Sequence, residues 1–354
     1  MVNRWWLGIG LMLCCTLVQA GKDGLSVVFL NPGFSDERFW SDYSRYMQDA
    51  ADDLGMDLRV LYGERDNQRM LANARRVLDG KHPDYLIFTN EQFFGPQVLR
   101  LFENSEVRLF ALHSTLSPTQ QALIGGSRER HGNWLGSLIP NDEEAGYLMG
   151  RELIALSQGK PTQMLAFSGV KQTPSATLRL LGLQRALDEA PHVRLVQAVY
   201  GEWQEQRAYQ QASSLLPRYP DVELVWTAND AMAFGVMRAA NELGRPLRYA
   251  TLNNSARVFQ ARIDGRVEVL LSGHFLLGAC AMVMLHDHAK GLDFAARGGK
   301  DQVARLLRVI DEDAAQTLQA RLARNDMGLD FRRFSALGKA GMRAPGCSIE
   351  PLLE

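Results

Sequence analysis

The chain is poor in cysteine, in long apolar stretches and in net charge, and each shortage closes off a class of protein. Only four of 354 residues are cysteine, and Cys14 and Cys15 both lie in the first twenty positions. Cys280 and Cys347 lack the CxxC spacing of a redox or zinc site. In an oxidising compartment they could pair, but the sequence does not fix the distance between their Cα atoms, so the pairing stays open. The formal net charge of −1 gives no reason to expect nucleic acid or an anionic membrane as partner. No fixed-period repeat or low-complexity stretch is visible. There is no GxSxG elbow, HExxH helix or P-loop. His286 and His288, two apart on an expected helix, point to different faces and do not readily share a metal. Glu143 and Glu144 fall in the first turn of an expected helix, where carboxylates complement the dipole. No catalytic group, cofactor or metal is expected.

What is present begins at the N-terminus. Arg4 precedes an apolar run from Trp5 to about Val18, and Val18-Gln19-Ala20 offers small residues at the two positions a signal peptidase reads. The run is short of the ~20 residues of a comfortable membrane span. Cys14 and Cys15 lie inside it rather than after a small-residue box, which argues against a lipid anchor. Residues 1–20 are therefore expected to be a secretory signal cleaved near Ala20, leaving an exported mature chain. About 330 remaining residues suggest two domains.

Strand and helix patterns alternate along that remainder. Ser26–Leu30, Leu58–Tyr62, Asp84–Phe88 and Val107–Leu112 read as buried strands. Between them lie helical patterns around Trp40–Leu54, Asn67–Leu78 and Gln97–Phe102. The polar stretch from Ser114 to Gly132 has no clear period and reads as a loop. The alternation restarts with a helix over Glu143–Leu156, for which Asp142 is placed as N-cap. Strands follow at Met164–Phe167, Val193–Tyr200, Glu223–Thr227, Tyr249–Leu252 and Val267–Leu271, with helices between, one of them capped by Asp230. Two such units predict an α/β protein with two doubly wound parallel-sheet lobes and a cleft between them.

In open sheets of this kind ligands gather beyond the carboxyl ends of the strands. The residues there are Asn31, Phe39 and Trp40, then Glu91 and His113. In the second unit they are Arg179, Trp203, Asn229, Asn253 and His274. Aromatic walls with amide and guanidinium donors suit a small polar ligand whose C–H faces stack on rings. Each has a plainer reading: tryptophan as core, asparagine as turn former, Asn229 and Asp230 as a helix start.

Three segments carry a resemblance. Ser175-Ala176-Thr177-Leu178-Arg179-Leu180-Leu181-Gly182, Gly201-Glu202-Trp203 and Ala228-Asn229-Asp230-Ala231-Met232-Ala233-Phe234-Gly235 follow one another at family-like spacing. They resemble the second-lobe signature of type I periplasmic binding proteins, the ribose- and galactose-binding group related to the ligand domains of LacI-type repressors. Asn141-Asp142-Glu143-Glu144-Ala145-Gly146 is similar to the segment after that family's first interlobe crossing. An export signal in place of a helix-turn-helix sets the chain apart from the repressors.

The resemblance implies a three-segment hinge with crossings near Leu138–Asn141, Leu271–Gly273 and Val309. One lobe would comprise 21–138 with 274–305, the other 139–273 with 306–354. It implies that Arg179 holds ligand hydroxyls, that Trp203 walls the second lobe, that Asn229 hydrogen-bonds ligand and that Phe39 and Trp40 form the first lobe's aromatic pair. Acidic residues that grip hydroxyls in the sugar binders are replaced here by His113 and Asn253, which favours a neutral or anionic ligand over a cationic one. The implied function is capture of a sugar or related metabolite for an ABC-type permease. Asp330-Phe331-Arg332-Arg333-Phe334-Ser335 is similar to the C-terminal stretch of sensor-linked members such as the autoinducer-2 binding protein. The alternative partner is accordingly a membrane sensor, a histidine kinase or diguanylate cyclase.

Overall fold

A computed structural model describes residues 24–324, 328–337 and 347–353. The expected signal segment, 1–20, lies outside the described residues. The first unit runs β1 (Ser26–Asn31), α1 (Arg38–Leu54), β2 (Asp57–Tyr62), α2 (Asn67–Asp79), β3 (Tyr85–Phe88), α3 (Gly95–Leu101), β4 (Arg108–Leu112), α4 (Pro118–Ile124) and β5 (Trp134–Pro140). The second runs α5 (Asp142–Ala155), β6 (Thr162–Ser168), α6 (Pro174–Asp188), β7 (Val193–Tyr200), α7 (Glu205–Arg218), β8 (Val222–Thr227), α8 (Asp230–Glu242), β9 (Arg248–Leu252), α9 (Ala256–Ile263) and β10 (Val269–Ser272). The chain then continues through α10 (Leu277–Ala289), β11 (Asp301–Ala304), β12 (Arg308–Ile310), α11 (Glu312–Ala323) and α12 (Glu350–Leu353).

Two six-stranded sheets result, in the orders β11-β5-β4-β3-β1-β2 and β12-β10-β9-β8-β6-β7. Every pairing is parallel except that of β12 with β10. Successive strand residues point to opposite faces, and β1 shows why its run must be apolar on both. Val27 and Phe29 join the cluster containing Tyr43 and Met47 of α1, whereas Val28 and Leu30 join the one containing Met70 and Val98 of α2 and α3. Gly55 ends α1 in the left-handed region at φ 66°, a conformation that costs glycine little.

The polar stretch expected to be a loop contains α4. Ser117 caps it, accepting from the Gln120 backbone N–H, and the Gln120 side chain accepts in return from the Ser117 N–H. Pro118 opens the helix. This Ser-x-x-Gln box with proline at the first helical position is legible once sought, but the helix has little apolar period to announce it. Two expected caps shift by one residue: Asn141 precedes α5 and Asn229 caps α8. Both aspartates, Asp142 and Asp230, are buried in the first turn instead.

Three segments pass between the sheets: Asn141 after β5, Gly273 after β10, and residues 305–307 between β11 and β12. They touch one another. The Asn141 side chain donates to the Leu307 carbonyl at 3.1 Å and accepts from the Leu307 N–H at 3.0 Å. Gly273 has φ 128°, and a Cβ there would lie 2.0 Å from the Leu306 carbonyl oxygen, so only glycine fits.

The C-terminal tail, grouped with the second lobe by its place in the sequence, packs in part on the first. The Phe331 N–H donates to Asp53 of α1 at 2.8 Å, and Asp287 of α10 accepts from Ser335 Oγ and the Ala336 N–H, each at 2.6 Å. Phe331 and Phe334 are buried there. Cys347 closes a disulfide with Cys280 of α10, Cα atoms 5.6 Å apart, which settles the pairing that the sequence left open. Among the described residues no helix is long and apolar enough to cross a membrane.

Candidate functional site

The loops after the strands of both sheets meet in one cavity of about 460 Å³, counting open solvent at its mouth. Phe39, Trp40, Glu91, His113, Arg179, Trp203, Asn229, Asn253 and His274 all line it. Asn31 does not. Its amide donates to the Trp40 carbonyl and Ser44 Oγ and accepts from the Gly33 N–H, because the turn after β1 must satisfy buried backbone groups before it can present Trp40. Asn31 is a support rather than a wall.

The first lobe supplies an aromatic and imidazole cluster. Phe39 stacks on His274 at 4.9 Å between centroids and 22° between planes, and Trp40 meets His113 edge-on at 5.1 Å. Burial, with the nearby Arg179 charge adding to it, pushes His113 down to about 3. His274 falls well below the usual imidazole range from burial first, then from Arg179 and His113. Both rings are therefore neutral at physiological pH, each with one donor and one acceptor nitrogen. Among the described residues, His113 Nδ1 and His274 Nδ1 are buried without a partner.

The second lobe supplies Trp203 and a buried ion pair. Arg179 donates through Nε to Asp142 Oδ1 at 2.7 Å and through Nη1 to the Ala228 carbonyl at 2.8 Å. Its guanidinium lies 5.7 Å from the Trp203 ring centroid. Burial raises the Asp142 carboxyl pKa while Arg179 opposes the shift. Asn229 spends its amide locally, accepting from the Met232 N–H at 3.0 Å and donating to the Trp203 carbonyl at 3.1 Å. The helix-start reading of Asn229 thus holds, although the residue also borders the cavity. Asp230 accepts from Asn253 Nδ2 at 2.9 Å, and Asn253 Oδ1 is buried without a partner among the described residues.

His113 (φ 68°) and Trp203 (φ 65°) sit in the left-handed backbone region. Such conformations are uncommon for residues other than glycine and persist where the surroundings enforce them.

Four lining residues escaped the sequence reading: Glu37, Arg65, Ser175 and Leu252. Arg65 follows β2, so the strand-end rule applied to that loop would have found it; Ser175 opens the Ser175–Gly182 segment. Glu37 pairs with Arg65, whose Nε donates to its Oε2 at 3.0 Å. The cavity therefore has two carboxylates, Glu37 and Glu91, placed on the first lobe rather than after β4 and β9. Burial raises Glu91 to about 7, Arg65 opposing and Glu37 adding to the rise.

Two parallel-sheet lobes, three crossings and a cavity walled from both sides define a hinged, cleft-bearing α/β protein. The chain belongs to the type I periplasmic binding proteins. Residues 130–293 match the family described as a periplasmic binding protein domain. The chain is 46% identical to a periplasmic sugar-binding protein from Pseudomonas fluorescens of known structure, covering 93% of this chain and all of that one, with a TM-score of 0.85. It is 23% identical to the D-allose-binding periplasmic protein of Escherichia coli over 67% of this chain and 73% of the relative. It is also 23% identical to the D-apiose import binding protein of Actinobacillus succinogenes over 47% of this chain, a match spanning 54%, about half, of that relative.

Proposed function

We propose that this protein captures a small, neutral, hydroxyl-rich ligand, a monosaccharide or related polyol, between its lobes in the periplasm and presents the closed form to an ABC-type permease. The observation that carries the reading is that Phe39, Trp40 and Trp203 line one cavity together with His113, His274 and Asn253, polar side chains that each hold a buried atom without a partner among the described residues. Hydroxyl groups satisfy such atoms, and the C–H faces of a sugar ring suit the aromatic walls. Charge balance favours a neutral ligand. Arg179 is paired with Asp142 and Arg65 with Glu37, so neither guanidinium presents an uncompensated charge to a carboxylate ligand. Relatives named for sugars agree in class.

The test is a thermal-shift and calorimetric screen of sugars, polyols and small organic acids on the mature protein. A ligand at ~100 times its dissociation constant adds ~2.7 kcal/mol of stability. Stabilisation by acids or amines alone defeats the reading. Uptake of the bound compound by cells, lost on deletion of the gene, supports delivery to a permease. Intact uptake with a lost transcriptional or cyclic-dinucleotide response points instead to a membrane sensor.

A further inference from the structure

Residues 347–353 hold on to both lobes within one short run of chain. At its start, Cys347 is bonded to Cys280 of α10. That helix belongs to the first lobe, packed along α1 so closely that a Cβ on Gly278 would lie 2.4 Å from Met47 Cγ. At the other end of the run, α12 packs on α11 with Leu352 fully buried. α11 belongs to the second lobe, where Gln319 Nε2 donates to Gln260 Oε1 of α9 at 3.1 Å. Glu350 adds an ion pair with Arg308 of β12, the antiparallel edge strand of the second sheet. The path from α10 through the disulfide to α12 is thus a further covalent connection between the lobes, beside the three crossings.

The middle of this path lies against the hinge. Ile349 is 1% exposed, and its Cδ1 is 3.2 Å from the point where a Cβ on Gly273 would stand. The Leu306 carbonyl oxygen is 2.0 Å from the same point, so the second crossing, the third crossing and the C-terminal run are packed together. The path also has little slack. Only Ser348 and Ile349 separate the bonded cysteine from α12. Both are engaged with that helix: Ser348 Oγ accepts from the Glu350 N–H at 3.1 Å, and the Ile349 carbonyl accepts from the Leu352 N–H at 2.8 Å. Pro351 fixes one more backbone angle.

We infer that residues 347–353, tied down by the Cys280–Cys347 bond, form a strut across the hinge that narrows the range of angles open to the two lobes. A change of lobe angle is absorbed by a few backbone torsions at the crossings. With one end of the run bonded to the first lobe and the other buried in the second, the same change must also strain the disulfide or pull Leu352 from α11. A cross-link acts by removing conformations, and here it removes arrangements of the folded protein as well as of the unfolded chain. Both lobes already wall one cavity, so the arrangements it removes are the more open ones. The strut works in this way whatever ligand the cleft takes, and a narrower open ensemble leaves less ordering for that ligand to impose.

The experiment is small-angle X-ray scattering of the ligand-free mature protein, of Cys280→Ser with Cys347→Ser, and of Leu352→Ala. The last of these frees the second-lobe end of the strut and keeps the disulfide. Both substituted proteins are expected to show a larger radius of gyration and a longer maximum dimension than the oxidised wild type, with circular dichroism confirming that each is folded. A loss of stability alone leaves the scattering of the folded protein unchanged. Should either variant fail to fold, the reduced wild type replaces the cysteine variant, and Glu350→Ala, which breaks the pair with Arg308, replaces Leu352→Ala. Unchanged scattering in both overturns the strut. Expansion on loss of the disulfide without expansion on loss of the α12 contact overturns it as well, because the bond then acts within the first lobe.

Discussion

Arg179 and Asp142 form a 2.7 Å ion pair whose side chains are 4% and 2% exposed, joining the ligand-facing start of α6 to the first residue after the hinge. Removing one partner of such a pair leaves an uncompensated buried charge, at a cost of about 3–5 kcal/mol. Arg179→Ala should lower stability in urea unfolding by that order. Its deficit should be larger at pH 8 than at pH 5, because the orphaned Asp142 carboxyl is then forced to ionise. An equal deficit at both pH values would show that Asp142 does not depend on Arg179.

Gly169 and Trp203 are in close backbone-to-ring contact. A Cβ on Gly169 would lie 1.9 Å from Trp203 Cζ2, so Gly169→Ala must push the indole from its seat. The expected cost is about 1–3 kcal/mol of stability, with weaker ligand binding and altered tryptophan fluorescence. Unchanged affinity would remove Trp203 from the site.

Glu91 gives a pH signature. Its native pKa is about 7, above an unfolded value near 4.3, so between those values the native state holds more of the proton. The resulting stability is fully present below the unfolded pKa and is lost as pH rises through the native one. Relative to Glu91→Gln, the wild-type protein should lose up to about 1.4 kcal/mol per pH unit across that window. Parallel urea-unfolding series at pH 4.5 to 8 read this directly, and coincident slopes would contradict it.

The Cys280–Cys347 disulfide closes a loop with a sequence separation of 67. Cys280→Ser with Cys347→Ser should cost about 2–4 kcal/mol, measured as the difference in unfolding free energy from the oxidised wild type. Reductant should abolish that difference.

Periodicity made the sheets legible and local chemistry hid the rest. The β1 run announced a strand buried on both faces, and strand ends led to the cavity because ligands in this architecture sit there. Asn31 misled because a buried turn and a ligand ask for the same amide. Asn229 shows both demands met by one residue. α4 was invisible to periodicity because its surface position leaves it little apolar pattern, while Glu37, just ahead of α1, is brought to the cavity only by tertiary convergence with the Arg65 loop. The tail's seat on Asp53 and Asp287 depends on contacts far apart in sequence, which no local pattern encodes.

Asn141 is hydrogen-bonded to Leu307 at both of its side-chain heads, and Gly273 lies against Leu306 with no room between. The linkers are consequently fastened to each other as well as to the sheets, so any change of angle between the lobes must carry them together or break these contacts.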